Sequence, residues 1–148
     1  KSYQKFNGVM LEIPTLGVQA KITGVPNSAD GWDTSWLWNQ VGWLNGTAFP
    51  SWRGNSVLAA HNYLPNGVAG PFSQLQNLRW GDRILVYAFN ETHVYEVRSI
   101  EIVRPEDSAV LAGEETPWLT LVTCKSFDEE SGSYRWRVVV RAEWVEVY

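Results

Sequence analysis

Trp118-Leu119-Thr120-Leu121-Val122-Thr123-Cys124 and Tyr134-Arg135-Trp136-Arg137-Val138-Val139-Val140, joined by a loop from Asp128 to Gly132, dominate the last third of the chain. Both runs are rich in β-branched and aromatic residues, which fit a pleated, half-buried surface. The second run continues by alternation through Ala142, Trp144, Val145 and Val147. Two long strands in succession, with no room for a crossover helix between them, argue against a doubly wound fold.

Working outward, most of the remaining chain also reads as short strands. Val9-Met10-Leu11-Glu12-Ile13 is stopped by Pro14, and Val18 to Thr23 alternates apolar and polar residues. Gly54-Asn55 turns the chain into Ser56-Val57-Leu58-Ala59-Ala60, a buried strand ending at His61. Arg79 to Asp82 forms a turn before a strand from Arg83 to Phe89, and a second strand runs from His93 to about Val103, where Pro105 breaks it. Helices are few and brief. Asp33 is suited to cap one through Thr34 to Gln40, Phe72, Leu75 and Leu78 recur at helical spacing, and Asp107 to Leu111 suggests one more turn. Many short strands with few helices predict a mostly β fold, a closed or nearly closed β-barrel. No repeat, linker or low-complexity tract divides residues 1–148, so they read as one domain.

The bulk properties narrow the function classes. A chain of 148 residues buries roughly two-thirds of its unfolded surface and can fold without disulfides. Net charge is −4 with Lys and Arg scattered, so no nucleic-acid footprint exists. No apolar run is long enough to span a bilayer, and no signal peptide opens the chain. The nine tryptophans serve core filling and edge protection, or an aromatic platform for sugar rings or an apolar peptide.

The single cysteine, Cys124, excludes an internal disulfide and leaves a structural, reactive or intermolecular thiol. It lies at a strand end, as does His61, where a rigid sheet positions side chains that remain accessible. A neighbouring cation would lower the thiol pKa and make it a usable nucleophile. Arg135, Arg137 and Arg141 follow it and share one face if the strand is regular. His93 reads as an exposed strand residue, and Glu114, Glu115, Glu129 and Glu130 as solvated loop carboxylates. Val122 and Thr123 line a peptide groove or serve packing.

Thr120-Leu121-Val122-Thr123-Cys124 resembles the TLxTC signature of sortases, the cysteine transpeptidases of bacterial cell surfaces. Arg137, thirteen positions on (137 − 124 = 13), stands where sortases carry their essential arginine. Gly54 to Asn62 resembles the family's GNxxxAGHN segment around the histidine, here His61, with Ala60 in place of the usual glycine. Leu11-Glu12-Ile13-Pro14 is similar to the family's opening strand, and Phe72 to Ile84 to its F..L..L..GD.I stretch. The likeness runs from about Leu11 to Val145.

The resemblance implies a closed barrel of about eight strands with a few short helices. It also implies Cys124 as nucleophile, His61 as proton shuttle and Arg137 as oxyanion stabiliser. The implied partners are surface proteins bearing an LPxTG-type sorting signal, and an amine acceptor, either a peptidoglycan precursor or a pilin lysine. Anchoring is favoured over pilin polymerisation, since Lys1 to Gly8 lacks the aspartate-aromatic lid motif of pilin-type enzymes. The implied location is the extracellular face of the bacterial membrane, reached through an anchor segment absent from this chain. No cofactor is expected. Residues 46–53 hold no acid to bind the activating calcium of some sortases, and one Cys with two His makes no zinc cluster. L,D-transpeptidases are set aside because their SHGCxR pattern is missing. The alternative of another class is a non-catalytic Trp-rich barrel that binds peptide or carbohydrate.

Overall fold

Leu11 and Ile13 are fully buried while Met10 between them is exposed, so the first strand carries the period of two that a barrel wall requires. The computed structural model describes residues 8–29, 31–104, 108–128 and 133–148, without the side chains of 108, 124–128 and 133–136. Ten strands occur in it: β1 (Val9–Ile13), β2 (Val18–Val25), β3 (Asn27–Ser28), β4 (Gly31–Trp32), β5 (Val41–Leu44), β6 (Gly54–Ala59), β7 (Arg83–Ala88), β8 (Glu91–Val103), β9 (Pro117–Asp128) and β10 (Ser133–Val147). Eight of them close a barrel in the order β1-β2-β5-β6-β9-β10-β8-β7, as the sequence predicts, and β3 with β4 forms a small hairpin beside it. The β2–β5 and β6–β9 pairs are parallel and the other pairs around the barrel antiparallel.

Two apolar clusters explain the strand sequences. Leu11, Ile13, Leu58, Ile84, Tyr95, Leu119, Leu121, Val138 and Val140 belong to the barrel interior, which Phe72, Leu75 and Leu78 also join. A second cluster, of Val25, Leu37, Leu44, Val57, Val122 and Val139, lies on the opposite face of the same wall. Consecutive residues Val57 and Leu58 are both fully buried, one in each cluster. That double burial is why β6 reads as an unbroken apolar run rather than an alternating one.

The helical expectations shrink. Residues 34–40 form two successive turns, Leu37 N donating to Thr34 O (3.2 Å) and Gln40 N to Leu37 O (3.0 Å). Asp33 accepts from the Ser35 amide (3.0 Å) and hydroxyl, closing a local turn instead of capping a helix. Trp38, at φ +57°, ends any helical continuation. Leu37 is pulled into the second cluster, and a Cβ on Gly42 would lie 2.6 Å from Val25 Cγ2 and 2.9 Å from Leu37 Cδ1. Of the Phe72–Leu78 pattern only Leu75–Asn77 is helical, a single 3₁₀ turn, because all three apolar residues are needed in the barrel interior. A 3₁₀ turn also spans Ser108–Leu111. Strand β5, four residues with no alternation, lies outside the sequence-based expectations.

His93 is buried, not exposed: Trp144 Nε1 donates to its Nδ1 (3.2 Å). Indole can only donate, so the His93 proton sits on Nε2, which faces Glu91 Oε1 at 3.2 Å. Tyr95, fully buried, accepts from the Ser51 amide (3.0 Å), and burial pushes its phenol up to about 12. Tyr87 is also pushed up to about 12, mainly by its hydrogen bond to the Glu12 carboxylate, and secondarily by burial.

Both phenols ionise near 10 in an unfolded chain. The unfolded state therefore releases these protons first, and their contribution to stability, intact below pH 10, is lost as pH rises towards 12. Ultraviolet difference titration is expected to show Tyr87 and Tyr95 ionising above the usual phenol range, with the denaturation midpoint falling over that window. Tyr95→Phe is expected to flatten that fall.

Candidate active site

β6 and β9 run parallel with a constant offset, from Gly54 opposite Pro117 to Ala59 opposite Val122 (117 − 54 = 122 − 59 = 63). Beyond the last paired residue, Ala60 N donates to Val122 O (3.3 Å) and Thr123 Oγ1 donates to Ala60 O (2.9 Å). The pairing ends there, and His61 follows two residues after the last paired residue of β6. On the other side of β9, antiparallel β10 pairs Arg137 with Cys124 and Val138 with Thr123. Residues 76 positions apart (137 − 61) thus line one cleft, His61 just past β6 and Arg137 opposite Cys124. Of Cys124 only the backbone position is described.

His61 and Arg137 line a common cleft with Thr34, Ala59, Ala60, Asn62, Val122 and Thr123. His61 follows the end of β6, and its carbonyl accepts from Phe72 N (3.2 Å), while Gly70 N donates to Asn62 O (2.7 Å). This close return of the chain requires glycine, because a Cβ at Gly70 would overlap the His61 carbonyl. The Nε2 atom of His61 is buried and has no hydrogen-bond partner among the described residues. A buried polar nitrogen left unsatisfied costs about 1–3 kcal/mol, which a hydrogen bond to a bound ligand would recover.

Arg141 was a candidate for the same role as Arg137, and the structure gives it other work. Its Nε donates to Thr120 Oγ1 (3.2 Å), its guanidinium pairs with Glu114 (2.8 Å) and it stacks over Trp118 at 4.7 Å. Glu114 is therefore not the solvated carboxylate expected. Thr120 in turn donates to Asn55 Oδ1, and Asn55 Nδ2 donates to the carbonyls of Val110 and Ala112 (2.9 Å each). This network ties residues 110–114 to the barrel wall. Regular alternation fails upstream of Arg137, since the pairing with β9 shifts register between Tyr134 and Trp136 and again before Arg137. Glu129 and Glu130 lie outside the described residues, as does the side chain of Arg135. Val122 and Thr123 line the cleft, and Val122 also packs in the second apolar cluster. Thr34 joins them from a turn with no sequence signature.

Cys124 lies inside β9, which runs on to Asp128, and not at a strand end as the sequence suggests. A closed barrel with a histidine and an arginine lining one cleft, the arginine paired in register with the single cysteine, defines a candidate thiol-enzyme site. The chain belongs to the sortase family, whose sortase-domain model matches residues 11–145. Sortase A of Bacillus anthracis is 33% identical over 82 residues, which is 55% of this chain and 38% of that protein. The chain thus spans well under half of that relative. Among solved structures, a lid mutant of sortase A from Corynebacterium diphtheriae superposes with a TM-score of 0.78 at 31% identity, over 94% of this chain and 70% of that one. Sortase C-1 from Actinomyces oris gives 0.76 at 30% identity, over 93% and 73% of the two chains. Similarity of fold therefore does not separate the A and C types.

Gly70→Ala is expected to lower stability by about 2 kcal/mol or more through backbone overlap, measured by urea denaturation, and to shift the His61 ring resonances. Arg141→Ala is expected to cost on the order of 1–2 kcal/mol, by removing the partner of Glu114 and one of the two hydrogen bonds of Thr120.

Proposed function

We propose that this chain is the catalytic domain of a cysteine transpeptidase acting on LPxTG-type sorting signals, with Cys124, His61 and Arg137 as its reacting groups. The observation that carries this reading is that His61 and Arg137 line one cleft and that Arg137 is paired in register with Cys124. The apolar wall of Ala59, Ala60 and Val122 with the hydroxyls of Thr34 and Thr123 suits an extended peptide of small side chains.

The Cys124 thiolate attacks the carbonyl carbon between Thr and Gly of the signal. The charged fork of Arg137 holds the oxyanion. The C–N bond then breaks, His61 giving its proton to the departing glycine amine, and a thioester remains on Cys124. An incoming amine attacks that thioester and loses a proton to His61. The C–S bond breaks and thiolate and imidazolium are restored. Ala60, where the family usually has glycine, adds a methyl group to the cleft wall and tightens the fit rather than the chemistry.

The acceptor in this reading is a peptidoglycan-precursor amine, making the task protein anchoring; a pilin lysine is the competing acceptor. The site of action is the outer face of the bacterial membrane. No helix among the described residues is long and apolar enough to cross a membrane.

Incubation with sorting-motif peptides and either a glycine oligomer or a pilin-derived lysine peptide tests the proposal by mass spectrometry. A thioacyl adduct on Cys124, absent in Cys124→Ala, is the expected result. Arg137→Ala is expected to lower turnover roughly a hundred- to a thousandfold, and Arg137→Lys to recover little of it. A thiol that forms no adduct with any peptide, and alkylates only after unfolding, would sink the proposal and leave the peptide- or carbohydrate-binding barrel.

A further inference from the structure

The end of the barrel opposite the His61 cleft carries an aromatic cluster that the proposed chemistry does not use. β6 and β9 start there, β8 begins there and β10 finishes there, as the pairing of Val147 with His93 requires. The β5–β6 loop closes this end, held by Ser51 N donating to Tyr95 and by Trp43 Nε1 donating to Ala48 O (3.0 Å). Phe49, on that loop, sits at the centre of the cluster, 5.1 Å from Trp43, 5.4 Å from Trp52 and 5.8 Å from Phe89. Trp52 and Phe89 are 63% and 64% exposed, and Tyr148, hydrogen-bonded to Thr92 beside the Phe89 turn, is 67% exposed.

Phe89 is costly where it stands. Phe89 and Asn90 both have positive φ, +51° and +66°, at the β7–β8 hairpin turn. Such turns favour Asn and Gly, and a bulky residue is strained there. A strained residue that also exposes its ring signals a use outside the fold.

We infer that this end is a docking surface for the interface of a lipid bilayer. Trp, Tyr and Phe side chains with one face packed and the other free match the chemistry of the interfacial zone, where amphipathic rings settle at headgroup depth. The path of the chain favours a bilayer over other occupants. Met10 of β1 pairs with Tyr87, two residues before Phe89, so the polypeptide enters the barrel at this end. The stretch leading in reads Lys1-Ser2-Tyr3-Gln4-Lys5-Phe6, the mixture of lysine and aromatic residues found next to membranes. Arg53 next to Trp52 and Glu91 two residues after Phe89 are of opposite sign, so aromatic insertion rather than headgroup charge supplies the affinity. Docking here points the His61 cleft away from the lipid. The inference does not rest on the transpeptidase reading.

Co-sedimentation with phosphatidylcholine vesicles, with and without phosphatidylglycerol and at low and high salt, tests it. The expected result is partitioning onto both vesicle types with little salt dependence. Trp52→Ser with Phe89→Asn is expected to lower it at least tenfold. Phe89→Asn alone is expected to keep or raise the melting temperature, since asparagine suits the turn, and to lose part of the binding. Absence of partitioning by the unaltered chain would overturn the inference, as would binding unchanged in the double variant or lost only where the fold is lost. Aromatic-dependent self-association without lipid would assign the surface to a second copy. Retention on insoluble peptidoglycan but not on vesicles would assign it to a glycan, and either result also overturns the bilayer reading.

Discussion

The parallel pairing of β6 with β9 is the constraint on which the remaining structure depends. Both strands are covered on both faces, by the barrel interior and by the second apolar cluster, so neither slides without exposing a full set of apolar side chains. Asn55 and Thr120 add a buried hydrogen bond across adjoining positions of the pair, where only one register satisfies both. Parallel strands have no tight turn to set their register, and these two are separated by more than fifty residues of chain. Side-chain burial and this polar link do what a hairpin turn does elsewhere.

The polar groups buried along this wall fall into two kinds. Asn55, Thr120 and Arg141 satisfy one another, Glu114 and the 110–114 backbone, and so hold the β8–β9 connection against the barrel. His61 Nε2, by contrast, has no partner among the described residues. Satisfied groups rigidify, and unsatisfied ones at a cleft are available to a ligand. The same contrast separates two arginines on one strand, Arg141 spent on Glu114 and Trp118, Arg137 at the cleft. The two ends of the barrel differ in kind as well: one carries the histidine cleft, the other a layer of exposed aromatic rings at the point where the chain arrives.

Much of the barrel was legible because alternation and turn chemistry are local. Pro14 after Ile13, the turn before Arg83, and the long runs on either side of Asp128–Gly132 each report on a few neighbouring residues. The failures share a cause. Asp33 and the residues after it have the composition of a capped helix, yet Leu37 gains more by entering the second cluster than a short helix gains from its cap. His93 looked like a surface residue because nothing local discloses that Trp144, fifty-one residues later, supplies its hydrogen bond. Val41–Leu44 lacks alternation because it is buried on both faces, Val41 in the barrel interior and Leu44 in the second cluster, with neighbours that the sequence does not reveal.

The candidate site divides along the same line. The sequence by itself determined the residue types, their order and the family they resemble, because His61, Cys124 and Arg137 sit in recognisable local segments. Only the tertiary structure decided that His61 and Arg137 share a cleft, that Thr34 joins them and that Arg141 is engaged elsewhere. Those facts depend on strand register, which arises from packing between segments distant along the chain. No local pattern encodes a distance between such segments, and the pairing of β9 with β6 on one side and β10 on the other supplies it.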